Sequence, residues 1–181
     1  ADIVRAGAEI RPDMHFSTAF PRGPFGLAGQ HAAGIAATRK VPVLRVTLGG
    51  FDTHAAQLPR QAELLRQLAE GIVALRAALV EAGLWQQTLL LTYSEFGRRP
   101  RENGTGGTDH GTASVQFACG GAVRGGLLGE PPALDRLDRD GNLPHAIDFR
   151  AVYATVLERW WQLDSPRVLG GRFAPLPLLR A

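Results

Sequence analysis

A regular spacing of large apolar residues runs through residues 58–82 and predicts a long helix. The residues that repeat every seven positions are Leu58, Leu65, Ile72 and Leu79. This spacing places apolar side chains on one face, while the arginines and glutamates of the segment take other positions. Gly83 follows as a natural helix end. The repeat is long enough for a coiled coil, but the interpretation favoured here is a helix packed on a sheet.

The segments around this helix alternate between strand and helix patterns. Strands are predicted, from short apolar runs, at residues 41–48, 88–93 and 114–119. Helices are predicted at residues 28–40 and 148–163, and the aromatic residues of the second are expected in the core. Irregular structure is predicted for the lead-in 1–27, the arginine- and glycine-rich loop 97–112 and the tail from Pro166 onward. The alternation indicates one α/β domain over residues 1–181, with a layered, mostly parallel sheet flanked by helices.

Composition places the chain among ordinary globular proteins and argues against two classes of partner. It has 181 residues, of which 45% are hydrophobic and 20% are charged. No apolar run approaches the roughly 20 residues that a membrane-spanning helix needs. The formal net charge is only +3, and Lys40 is the one lysine among 20 basic residues. Because no basic stripe is interleaved with aromatic residues, nucleic-acid binding is not expected.

Two short Asp-His motifs are the best candidates for chemistry. Asp109 and His110 lie in the glycine-rich sequence GTGGTDHGT, and Asp52 and His54 lie in GGFDTH. Carboxylate and neutral imidazole form a common ligand set for zinc, and they also suit manganese or iron. The alternative for each motif taken alone is a turn in which the aspartate caps backbone amides and the histidine is solvated. Since both motifs follow predicted strands, we expect a divalent metal site.

Charged residues beside these motifs are the candidates for catalysis. Glu95 follows the predicted strand 88–93, and Arg98, Arg99 and Arg101 come shortly after it. If strands 41–48 and 88–93 are parallel neighbours, their carboxyl ends bring these residues and both Asp-His motifs to one sheet edge. Arginines there suit an anion such as phosphate or sulfate. The alternative is a solvated basic loop balanced by nearby glutamates.

The order of the motifs resembles a bacterial family known only as domain of unknown function 1501. The motifs are GGFDTH, a leucine-rich helix, YSEFGRRPREN, GTDHGTA, GGAVRGG and DFRAVYATVLERWW, from about Val41 to Phe173. That family looks like a branch of the alkaline phosphatase and sulfatase superfamily, α/β metalloenzymes that hydrolyse phosphate or sulfate esters. The resemblance implies that Asp109 and His110 are metal ligands, with Asp52 and His54 as their upstream partners.

The chain departs from the superfamily pattern in two ways. Only Thr53 separates Asp52 from His54, where the superfamily usually has three residues. The early strand that carries a metal-binding aspartate and the nucleophile also has no counterpart here. The chain therefore resembles the carboxyl-terminal part of the family, and we expect a partial version of the fold from a larger protein. Because many members carry a twin-arginine export signal, a periplasmic or extracellular location is implied.

The expected function is metal-dependent hydrolysis of a small anionic phosphate or sulfate ester. Asp52, His54, Asp109 and His110 are expected to hold one or two divalent ions. Arg98 or Arg99 is expected to stabilise the developing anion, and Glu95 is expected to serve as a ligand, as an orienting group or as a base. The alternative is a non-catalytic exported binding or scaffold domain that keeps the fold. A third hypothesis gives the motif loops a purely structural role.

Overall fold

A computed structural model describes residues 15–39 and 41–180, which form two compact units. The boundary between the units falls between Gln86 and Gln87. Among the described residues, no helix is both long and apolar enough to cross a membrane. The prediction for the lead-in concerns mostly residues outside the described part of the chain.

The amino-terminal unit is a pair of helices, α1 (Pro24–Thr38) and α2 (Gln57–Glu81). The helix predicted at 58–82 is confirmed, and the one predicted at 28–40 begins four residues earlier than expected. Pro24 explains that earlier start, because its fixed φ and missing N–H suit the first turn of a helix. Small residues bring the helices together, since a Cβ on Gly71 would lie 2.4 Å from the Phe25 ring. The fully buried Ala33 and Ala78 belong to this core.

The end of α2 is a Schellman motif. The N–H of Leu84 donates to the carbonyl of Leu79 at 2.8 Å, and the N–H of Gly83 donates to the carbonyl of Val80 at 2.9 Å. Gly83 has a φ of 71°, in the left-handed region that an L-residue adopts only at a cost. The sequence-based helix end at Gly83 therefore has a specific hydrogen-bonded form.

The strand predicted at residues 41–48 is wrong. These residues form no β-ladder, and Val41, Val43 and Leu44 are exposed. An apolar, β-branched sequence favours a strand, but a strand also needs a neighbour to accept and donate its backbone hydrogen bonds. Within the described chain no segment pairs with residues 41–48. These residues therefore form an irregular segment that precedes α2.

The carboxyl-terminal unit contains two small antiparallel sheets. Strand β1 (Leu89–Leu91) pairs with β4 (Ala118–Gly120), and β2 (Gly97–Glu102) pairs with β3 (Thr108–Gly111). The structure is therefore mixed α/β, as predicted, but its described sheets are antiparallel and not the expected layered parallel sheet. In the described part of the chain, β1 pairs with β4 alone, and the pairing is antiparallel. The predicted loop 97–112 is also wrong, because β2 and β3 form a hairpin.

The helix predicted at 148–163 is shorter and changes its pitch. Helix α3 (Phe149–Thr155) passes into a π-helical turn (Val156–Trp160), and a further short helix α4 (Ser165–Leu169) lies in the tail that was predicted as irregular. Asp148 caps α3 by accepting a hydrogen bond from the N–H of Arg150 at 2.9 Å. The prediction that the aromatic residues of this helix lie in the core is wrong, because Phe149, Tyr153 and Trp161 are exposed. The buried residues are the aliphatic Val156 and Leu157.

Candidate metal-binding and anion-binding residues

Asp52 and His54 lie on one side of the segment that leads into α2. The N–H of Thr53 donates to the carbonyl of Phe51 at 2.9 Å and closes a tight turn around Asp52. The side chain of Thr53 is buried, whereas both of its neighbours are exposed. With Thr53 turned inward, the side chains of Asp52 and His54 lie together on the solvent side of this segment.

The two side chains are in direct contact. The Nε2 atom of His54 lies 3.0 Å from Oδ1 of Asp52, and the side chains are 49% and 62% exposed, respectively. A polar contact this exposed contributes at most about 1 kcal/mol to stability. Two ligand atoms of one tetrahedral zinc ion, each about 2.0–2.2 Å from the metal, are about 3.4 Å apart. The pair therefore has a separation that a small adjustment would fit to a shared cation.

The second motif lies in the β2–β3 hairpin. Arg98 pairs with His110 and Glu102 pairs with Thr108, so three residues of β2 lie opposite the single residue Asp109. Pro100 lies in this bulge, where its missing N–H costs no ladder hydrogen bond. Strand geometry directs adjacent side chains to opposite faces, so Asp109 and His110 have different surroundings.

The imidazole of His110 stacks on the ring of Phe96. The ring centroids are 3.8 Å apart and the planes differ by 9°. Arg98 is held in the same area, because its guanidinium carbon lies 5.1 Å from the centroid of the Phe96 ring and its Nη1 donates to the carbonyl of Thr108. Stacking uses the face of the imidazole, whereas a metal binds a nitrogen lone pair in the ring plane. The contact is therefore compatible with His110 as a ligand.

The carboxylate of Asp109 is held from the hairpin turn by Asn103. The Nδ2 of Asn103 donates to Oδ1 of Asp109 at 3.3 Å. The Oδ1 of Asn103 accepts the N–H groups of Thr105 and Gly107, each at 3.0 Å, and so fixes the turn itself. Asn103 thus links the shape of the turn to the position of the aspartate.

The remaining candidate residues, Arg99, Glu95 and Arg101, differ in burial and in their contacts. The Nε of Arg99 is buried and has no hydrogen-bond partner in the part of the chain that the structure describes. Hydrogen bonds from Asn142 lower the pKa of Asp138, and the positive charge of Arg99 adds to this effect. Glu95 is exposed between β1 and β2, and Arg101 is exposed on β2. A buried unsatisfied N–H that belongs to a cation suits an anionic ligand.

In each unit taken by itself, some of the predicted site residues lie together and others lie apart. Asp52 contacts His54, and Arg98 lies opposite His110, but the adjacent Asp109 and His110 are held by different neighbours. Phe96 and Asn103, the two residues that hold this second motif, were not predicted from the sequence. The Asn-Gly and Gly-Gly pairs within residues 103–107 indicate a turn and were available in the sequence.

Comparison with known proteins identifies the family. Residues 30–171 match the family described as Protein of unknown function (DUF1501), which confirms the resemblance seen in the motifs. Because the match covers well over half of the chain, the chain belongs to that family. Neither a curated protein nor a solved structure shows a significant match.

Proposed function

We propose that this chain is a metal-dependent hydrolase-like domain that acts on phosphate or sulfate esters. The observation that carries the proposal is the contact between Asp52 and His54, an exposed carboxylate and imidazole 3.0 Å apart on one side of a turn. Exposure makes the pair of little value for stability, whereas its atoms are those that zinc, manganese and iron prefer. A relationship to the alkaline phosphatase and sulfatase superfamily, and export from the cytoplasm, form part of this proposal and rest on the sequence motifs.

The proposed ligands are Asp52, His54, Asp109 and His110. The two residues of the first motif act as a chelating pair, because the turn presents them together. Because Asp109 and His110 are adjacent on β3, their side chains point to opposite faces of the strand. This favours a model in which each residue binds a different ion. A bound divalent cation supplies Lewis acidity and lowers the pKa of bound water.

The arginines of β2 are proposed to bind the anionic group of the substrate. The guanidinium of Arg98 is held by the Thr108 carbonyl and the Phe96 ring, so little freedom remains to be lost when it binds an anion. Arg99 contributes a buried N–H that has no acceptor among the described residues. Glu95, an exposed carboxylate, accepts a proton from the attacking hydroxyl or water, or orients a ligand.

The first test is calorimetric titration of the metal-free chain with Zn²⁺ and with Mn²⁺. We expect the wild type to bind at least one of the ions, and we expect His54→Ala and His110→Ala to lose binding at their sites. His31→Ala is the matched control, because His31 is also exposed but lies within α1. Two results would contradict the metal site. One is the absence of binding in the wild type, and the other is that His54→Ala and His110→Ala both give the same isotherm as the wild type.

A second test separates catalysis from binding. In the presence of the metal that binds, the chain is screened with aryl phosphate and aryl sulfate esters, alongside Asp109→Ala. We expect turnover that the substitution removes. Metal binding without turnover would favour the second candidate, a non-catalytic exported binding or scaffold domain. That candidate has its own support, since Asn103 and Phe96 already give Asp109 and His110 structural partners.

A further inference from the structure

The packing of the β2–β3 hairpin points to a role for Phe96, which belongs to the YSEFGRRPREN motif but was not among the candidate site residues. Phe96 immediately precedes β2, and its ring is nearly parallel to the imidazole of His110. We infer that Phe96 is a positioning residue, which holds the His110 ring in the orientation needed to bind a metal. The inference rests on the proposed function, because it assumes that His110 is a ligand.

The backbone around the stack is closely packed. Gly97 pairs with Gly111, and each lies next to one member of the stack. A Cβ on Gly111 would lie 2.6 Å from the carbonyl carbon of Arg98, and a Cβ on Gly97 would lie 2.0 Å from the carbonyl oxygen of Ala113. Neither position accepts a side chain unless the backbone moves. The separation of Phe96 and His110 is therefore set by the close approach of the chain at this point.

The stack limits the rotation of the His110 side chain, which is exposed on β3. The Phe96 ring, 3.8 Å away and inclined by only 9°, restricts that rotation while the ring nitrogens stay in the plane available to a ligand. Arg98 contacts the same phenyl ring, which restricts the movement of Phe96 in turn. Groups that orient a metal-bound histidine typically change metal affinity by about 10- to 100-fold when they are removed.

The test compares the full-length wild type with Phe96→Ala, Phe96→Trp and His110→Ala, with Phe117→Ala as a control. Phe117 is a partly exposed phenylalanine next to β4. In metal-free protein, ring-current shielding should move the His110 imidazole proton resonances upfield, and Phe96→Ala should remove that shift. In calorimetric titrations with Zn²⁺ and Mn²⁺, Phe96→Ala should weaken binding by about 10- to 100-fold, whereas Phe96→Trp should restore it and Phe117→Ala should leave it unchanged.

Each outcome has a distinct meaning. If His110→Ala loses binding but Phe96→Ala binds as tightly as the wild type, the positioning role is overturned and the proposed metal site stands. If His110→Ala binds like the wild type, both the role of His110 as a ligand and the inference about Phe96 are overturned. If Phe96→Ala leaves the His110 resonances in place, the stack does not exist in solution and the inference fails. Amide spectra of the variants that match the wild type exclude a general loss of structure.

Discussion

Replacing Gly111 with alanine should open the β2–β3 hairpin at the position next to His110. An added Cβ would lie 2.6 Å from the carbonyl carbon of Arg98 and 2.7 Å from the amide nitrogen of Arg99. Ordinary contacts begin at about 3.4 Å, so the facing backbone would have to retreat by about 0.8 Å, the difference between the two distances. Since the atoms are backbone and not the end of a flexible side chain, the strain cannot be relieved by a rotamer change.

The expected cost follows from two opposing effects. Overpacking a close contact costs about 1–3 kcal/mol, whereas alanine in place of a strand glycine gains about 0.5–1 kcal/mol from the unfolded chain. The midpoints of these two ranges, about 2 and about 0.75 kcal/mol, leave a net loss of about 1.25 kcal/mol, which raises the population of the locally open state about 8-fold. Hydrogen exchange of the Arg98 amide measures this opening directly, because that N–H donates to the carbonyl of Ala113 across the base of the hairpin at 3.2 Å.

Gly104→Ala is the matched control for Gly111→Ala. Gly104 lies in the turn of the same hairpin, and nothing lies within 4 Å of a Cβ added there. This substitution should leave exchange unchanged or slow it slightly, since alanine restricts the unfolded chain. Equal exchange rates for the two variants would refute the reasoning, because they would show that the close approach of the strands has no energetic consequence.

Two further predictions concern the end of α2. Gly83→Ala should destabilise the amino-terminal unit by about 1 kcal/mol in urea unfolding, because it places a Cβ on the left-handed residue of the Schellman motif; an unchanged midpoint would contradict this. The pKa of Glu81 is lowered, mainly by the N–H of Ser17 and then by the Ser17 hydroxyl and by Thr18. The ionised carboxylate therefore stabilises the fold above its ordinary pKa of 4.5, and this stabilisation is lost as the pH falls. Unfolding free energy should therefore fall less steeply on acidification for Glu81→Gln than for the wild type, and identical slopes would show that the contact is not formed.

The sequence predicts best those elements whose stability is local. Helix α2 was found nearly to the residue because its apolar repeat and Gly83 act within a single segment. The strand at 41–48 was predicted from equally good local evidence, but a strand also depends on a distant neighbour that no local pattern reveals. The same limit explains why the sheets were not predicted. Strand β1 pairs with β4, and even the nearest paired residues, Leu91 and Ala118, are 27 positions apart in the sequence.

The hairpin is a different case, because a local signal was present but was outweighed. Residues 97–112 are rich in arginine and glycine, which favoured a loop. Asn103 and Gly104 mark a turn between two short extended runs, and the side chain of Asn103 does fix that turn through Thr105 and Gly107. The prediction failed because the arginine and glycine content was taken to indicate a loop, whereas Gly97 and Gly111 lie where the two strands approach closely.

The two Asp-His motifs look equivalent in sequence but not in structure, and the difference follows from spacing. In the first, one intervening residue and a tight turn place Asp52 and His54 on the same side, 3.0 Å apart. In the second, Asp109 and His110 are adjacent on a strand, so they face different neighbours. Under the proposed function, the first motif would hold one cation with both side chains, whereas Asp109 and His110 would each contribute to a different side of the strand. The one-residue spacing of the first motif is the feature on which this proposed difference rests.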